Sequence, residues 1–205
     1  MAQRRTLPAP IIGAAEHGNS VVLVTVGPDG RLIDRRRIDL TATGTPTHPH
    51  HHEGSWAVGR YLNTPGARKL SLADAVALVE GVRGLAALGA RAGLEGLAAT
   101  VCGPIAGIAI RACPALPTTT EERIIDNRAQ TVADGVMYRE ALAAAARARG
   151  WSVHWYDPER VHRDAAALLG CRDIDAFLNE MGRTVGPPWQ AKHKLAAAAA
   201  IAYRG

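Results

Sequence analysis

The sequence predicts an α/β domain whose mixed sheet opens with an antiparallel hairpin and is flanked by helices. Three observations predict it. A Val-rich stretch at 20–26 runs into Gly27-Pro28-Asp29-Gly30, a strong turn signal, and residues 31–40 supply the return strand. Later segments alternate between helical and strand patterns, which implies parallel pairing and crossover connections. Hydrophobic residues make up 47% and charged residues 21% of the chain, the balance of a sequence that buries a core. A length of 205 residues suits one domain. The expected boundaries are a flexible leader over residues 1–10 and a single domain over 11–205.

Along the chain, residues 11–15 are short and apolar, and Gly18 with Asn19 marks a bend before the Val-rich strand. Residues 41–53 form a loop with two prolines and four histidines, and Trp56 and Tyr61 are expected to pack down the segment after it. Ser71 reads as a helix N-cap with Asp74 in the first turn. The stripe Leu72, Val76, Val79 and Ala86 carries that helix to about Gly89 or Gly93. Residues 97–102 read as a buried strand closed by Gly103-Pro104, and the state of 105–112 stays open. Thr119 and Glu122 have capping-box spacing ahead of a long helix to Gly150, with Gly135 as its weak point. Residues 151–156 alternate as a strand, with Trp151 and Trp155 expected in the core. Asp157-Pro158-Glu159 then starts a helix that ends near Gly170, and a short helix follows Asp173. Gly186-Pro187-Pro188 introduces a last, Ala-rich helix through Tyr203.

Bulk properties exclude several classes. Cys102, Cys113 and Cys171 are odd in number and form no CxxC pair, so a disulfide framework and a cysteine zinc site are not expected. No apolar run is long enough for a membrane span, and no signal peptide is read behind Arg4 and Arg5, so a cytoplasmic location is the default. The formal net charge of +5 permits an anionic partner such as nucleic acid without requiring one. Arg35 to Arg37 contribute much of that excess, and their plain reading is a solvated basic face.

Three stretches carry a resemblance. Ile11-Ile12-Gly13-Ala14-Ala15-Glu16-His17-Gly18 places an acid and then a glycine after a short apolar run; Tyr156-Asp157-Pro158 joins a strand to a helix after the long helix; residues 190–202 close the chain with an Ala-rich helix. In this order they resemble the ribonuclease H-like superfamily, in particular its resolvase branch typified by RuvC-type Holliday-junction nucleases. The resemblance implies a ribonuclease H-like sheet, nucleic acid as partner, and three or four carboxylates around divalent metal, Mg²⁺, Mn²⁺ or Zn²⁺, that clamps a phosphodiester. Only Glu16 falls on an acidic position. Thr100, Val101 and Cys102 stand where the middle strand would carry an acid, and Lys192, His193 and Lys194 replace aspartates of the closing helix.

The candidate site follows from these residues. Glu16 and His193 are the expected catalytic pair, because a carboxylate and an imidazole can both serve a metal. Glu16, His51, His52 and Glu53 are the candidate metal ligands, drawn from the dense run His48-Pro49-His50-His51-His52-Glu53. Adjacent histidines in a loop cannot all face one ion, so a polar surface loop is the competing reading. Lys192 and Lys194 are the candidate nucleic-acid contacts, since cationic donors neutralise phosphates without reading bases. Three functions remain open: a divergent metal-dependent nuclease or nucleic-acid-processing protein, a non-catalytic ribonuclease H-like module binding nucleic acid or protein, and a small-molecule metal-dependent hydrolase using the histidine loop.

Overall fold

The computed structural model of the chain describes residues 9–51, 53 and 70–204. Most of the expected leader, His52, Trp56 and Tyr61 lie outside the described residues. The first three strands, β1 (Ile11–His17), β2 (Ser20–Val26) and β3 (Leu32–Asp39), form an antiparallel meander. Two tight turns make it, at Gly18-Asn19 and at Gly27 to Gly30, where Gly27 N–H donates to Arg31 O and Gly30 N–H to Gly27 O. Asp29 adds a bond to the Arg31 N–H. Helix α1 (Leu72–Thr100) follows, then β4 (Gly107–Arg111), α2 (Thr120–Ile125), α3 (Ala129–Ala148), β5 (Ser152–Tyr156), α4 (Val161–Leu169), α5 (Ile174–Arg183) and α6 (Ala191–Ala202). The sheet order is β3-β2-β1-β4-β5, with β4 parallel to both β1 and β5. The fold class expected from the sequence is the one observed.

Strand periodicity divides the core into two layers. Ile12, Ala14, Val21, Leu23, Ile108 and Ile110 face one side, where α1 and α3 pack. Ile11, Ala15, Val24, Val26, Ala109 and Tyr156 face the other, against α4, α5 and α6. Gly13 is the tightest point of the second layer: a Cβ there would collide with the Ala196 carbonyl and press on Ala200 N. Ala196 to Ala200 are all buried, so the small side chains of α6 let its backbone rest directly on β1.

Several expected elements move. Residues 97–100 end α1 instead of forming a strand, because the buried stripe Ala75, Val79, Val82, Ala86, Ala90, Leu94 and Leu97 never breaks. The glycines read as stops are contact points: Gly89 touches the Leu40 backbone and Gly93 the Ile38 side chain. The middle strand is therefore β4, ending at Arg111, and the residues standing at its carboxyl end are not Thr100 to Cys102. The long helix is broken at residues 126–128, not at Gly135. Asp126 Oδ1 accepts from Arg128 N and Ala129 N, so its side chain competes with the helical ladder and starts α3 anew. The Thr119 capping box is present at the start of α2.

Trp151 is buried as expected, but Trp155, on the edge strand β5, is 38% exposed. The arginine run is not a free basic face. Arg36 pairs with Asp34 at 2.7 Å and Arg37 with Asp39 at 3.1 Å. Arg35 instead donates to Gly186 O and Pro188 O, clamping the loop that leads into α6. No helix among the described residues is long and apolar enough to cross a membrane.

Overpacking and helix propensity give opposite glycine phenotypes. Gly13→Val should lower unfolding free energy by ~1–3 kcal/mol or more, through forced separation of α6 from β1. Gly84→Ala, in an exposed interior turn of α1 with open space around it, should raise it by ~0.5–1 kcal/mol. Urea denaturation of both variants checks the pair.

Candidate nucleic-acid interface

Parallel strands β1 and β4 both end at one edge of the sheet, and the polar residues there line a cleft of about 330 Å³. Glu16 shares strand parity with Ile12 and Ala14, so its side chain emerges on the layer of α3. From α3, Arg139 approaches it, with Nε 3.0 Å from Glu16 Oε1. Both side chains are about nine-tenths buried. Arg139 also donates from Nη1 to Ala112 O at 2.7 Å, which fixes the guanidinium beside the end of β4. Its Nε is a buried donor without an aligned hydrogen-bond acceptor, so the Glu16 contact is electrostatic and leaves hydrogen-bonding capacity unused.

Lys192, in the first turn of α6, donates from Nζ to the backbone carbonyl of Glu16 at 2.8 Å. Arg111, exposed at the last position of β4, lines the same cleft and forms no ion pair among the described residues. A second cleft of about 440 Å³ adjoins the first, with Arg111, Val132 and Arg139 in both walls and Cys113, Asp157 and Glu159 beyond them. Burial pushes the Cys113 thiol up, although neighbouring Arg139 pulls it back down. This thiol is not disposed to act as a nucleophile.

The histidine loop docks on the same helix. His50 is fully buried and its Nδ1 lies 2.7 Å from Asp134 Oδ1, which also accepts the His50 backbone N–H at 3.0 Å. One turn on, Tyr138 donates its hydroxyl to Thr47 O, and burial first, then the Asp134 charge, raise its pKa. Glu53 accepts backbone N–H groups of Thr47 and His48 and so closes the loop on itself. His51 is buried in the loop, and His48 is the histidine of this run that lines the cleft beside Glu16. His52 lies outside the described residues.

His193 occupies the third position of α6. Its Nδ1 accepts the Gln190 N–H at 3.1 Å, and its ring stacks on Trp189 with centroids 5.6 Å apart. Burial, and then the charge of Arg35, hold its pKa below the usual histidine range, so the neutral ring is the capping form. Lys192 lines the cleft; Lys194 sits two residues on, ~200° around the helix, and is not in its wall. Of the residues singled out in the sequence, Glu16 and Lys192 meet in the cleft, whereas His193 caps its own helix.

The donor set does not fit a two-metal centre. No group of three or more His, Cys, Asp or Glu side chains converges to hold an ion among the described residues. The Glu16 carboxylate faces a guanidinium, the Asp134 carboxylate holds His50, and the carboxyl end of β4 carries Arg111. Sequence reasoning does not reach Arg111, Arg139 and Asp134, and it reads His50 only as part of the histidine run. The available signal was in α3, where Asp134 and Arg139 fall among the apolar residues Ala133, Val136, Met137, Ala141 and Leu142 of its buried face. A charge at such positions requires a partner.

Neither a protein-family model nor a curated protein sequence matches the chain. Among solved structures it is similar to RuvC from Thermus thermophilus in complex with a Holliday junction substrate. The TM-score is 0.51 and the identity 13%, covering 95% of this chain and 92% of that one. A second RuvC structure from the same organism gives a TM-score of 0.46 at 14% identity, with the same coverage. The likeness establishes a shared ribonuclease H-like fold.

Two outcomes follow from His193 and Asp134. Because the folded-state pKa of His193 is depressed, its contribution to stability is complete above the unfolded value of about 6.5 and is lost as pH falls through the folded value. Thermal melts from roughly pH 7.5 to 5 should show a steeper loss for the wild type than for His193→Gln, which keeps a capping side chain that cannot titrate. Asp134→Ala removes both bonds to His50 and should cost ~1–3 kcal/mol in urea denaturation.

Proposed function

We propose that this protein is a nucleic-acid-processing protein that holds a phosphodiester backbone in the cleft at the carboxyl ends of β1 and β4. One observation carries the reading: Arg111, Arg139 and Lys192 line a polar cleft whose two buried carboxylates, Glu16 and Asp134, are already engaged by Arg139 and His50. Three cations against two carboxylates leave a positive excess. Guanidinium and ammonium groups bind phosphate without reading base edges, so recognition is by backbone and shape. The ribonuclease H-like fold, which includes a structure solved with a Holliday junction substrate, is compatible with such a partner but does not carry the argument.

A metal-dependent nuclease with Glu16 as ligand is the second reading. Its support is the place of Glu16 at the carboxyl end of a central strand, where open α/β sheets put their sites. The guanidinium against that carboxylate counts against it. A small-molecule hydrolase built on the histidine loop has less support, because the described part of that loop is tied to α3 and to itself.

Fluorescence anisotropy with labelled single-stranded, duplex and branched DNA, at increasing salt, tests the first reading. Binding should be insensitive to sequence, and log K should fall against log salt with a slope near −2 to −3, as about three phosphate contacts require. Arg111→Ala and Lys192→Ala should each weaken binding and reduce that slope by about 0.9, while Lys194→Ala should change it little. Absence of binding at low salt, or slopes indifferent to Arg111 and Lys192, would overturn the proposal. Cleavage in Mg²⁺ or Mn²⁺ that disappears in Glu16→Gln would move the assignment to the nuclease reading.

A further inference from the structure

We infer that Arg139 is a built-in counter-cation for Glu16, so that the cleft excludes divalent metal and meets its anionic ligand with protein cations alone. The inference uses the backbone-binding reading only for its consequence, metal-independent recognition.

The argument starts from burial. A carboxylate about nine-tenths buried must be compensated, and Glu16 is compensated by a guanidinium 3.0 Å away that is buried to the same degree. That guanidinium is not a mobile surface group. Its Nη1 is anchored on Ala112 O, immediately after β4, and its Nη2 lies against Gly135, where a Cβ would stand only 3.0 Å away. Glycine at 135 is thus what leaves room for the arginine to lie along α3 toward the strand ends.

The other approaches to Glu16 are cationic as well. Lys192 Nζ sits on its main-chain carbonyl, and Arg111 lines the cleft from β4. A hydrated or bare dication seeking Glu16 would meet three positive groups, and the other carboxylate of the cleft, Asp134, is held by His50. Arginine cannot give up its proton to admit a competing cation, so the exclusion holds across the pH range. The same three groups favour an anion. Arg139 therefore decides which charge the site takes. It is a specificity-determining residue acting through Glu16.

Mn²⁺ titration followed by electron paramagnetic resonance of the free ion tests this without nucleic acid. Wild type and Glu16→Gln should bind Mn²⁺ alike. Arg139→Met, which keeps the bulk and removes the charge, should acquire a site at least about tenfold tighter, and Arg139→Met/Glu16→Gln should lose it again. A wild-type Mn²⁺ site that Glu16→Gln abolishes overturns the inference. So does a folded Arg139→Met that gains nothing; if that variant does not fold, the wild-type and Glu16→Gln comparison decides alone.

DNA anisotropy in EDTA and in Mg²⁺ supplies the second arm. Affinities that agree within about twofold support metal-independent recognition. Binding that requires Mg²⁺ overturns the inference and leaves the backbone-binding reading standing. No binding in either buffer overturns that reading, while the Mn²⁺ titration still decides the role of Arg139.

Discussion

The close seating of α6 on β1 is the contact on which the rest depends. Gly13 carries no side chain, and the Ala196 carbonyl occupies the space that one would need. Ala196 to Ala200 add a run of minimal side chains, so helix and strand meet at backbone distance. Lys192 lies four residues before Ala196, one helical turn or ~5.4 Å toward the carboxyl end of β1. From there its ammonium reaches the Glu16 carbonyl. A fold contact made by the two smallest residue types thus places a cation at the edge of the sheet.

From the opposite face, α3 does the complementary work with charged groups. Arg139 reaches Glu16 and Ala112, while Asp134, about one turn earlier, holds the buried His50. These are costly groups to bury, and each is kept by a partner from a different part of the chain. The consequence is a cleft with fixed charges, bounded by the two layers that sandwich the sheet. In the proposed reading such donors would meet an anion without reorganising on contact.

The described part of the histidine-rich segment has structural work to do. Four histidines and a glutamate in six residues look like a ligand store. In the fold, His50 anchors the loop to Asp134, and Glu53 serves two loop N–H groups. His48 lines the cleft. His193, likewise drawn from a ligand argument, accepts the Gln190 N–H and stacks on Trp189. Local hydrogen-bond demand at a loop and at a helix start accounts for these two carboxylate and imidazole positions.

Much of the architecture was legible in the chain itself. Gly27 to Gly30, Ser71, Thr119 with Glu122, Asp173 and Gly170 each act through bonds or dihedrals within a few residues, and local chemistry suffices to read them. Residues 97–100 and the break at Asp126 were misread because a glycine at a helix contact looks like a stop, and an aspartate at a break looks like a surface charge. Glu16 and Lys192 could be singled out by their places in a strand and a closing helix. Their chemistry could not, because the sign of the site is set by Arg111 and Arg139, which lie 95 and 123 residues beyond Glu16. Local pattern determined the elements; only the packing of α3 and α6 onto opposite faces of β1 decided that Glu16 would sit beside Arg139 and Lys192.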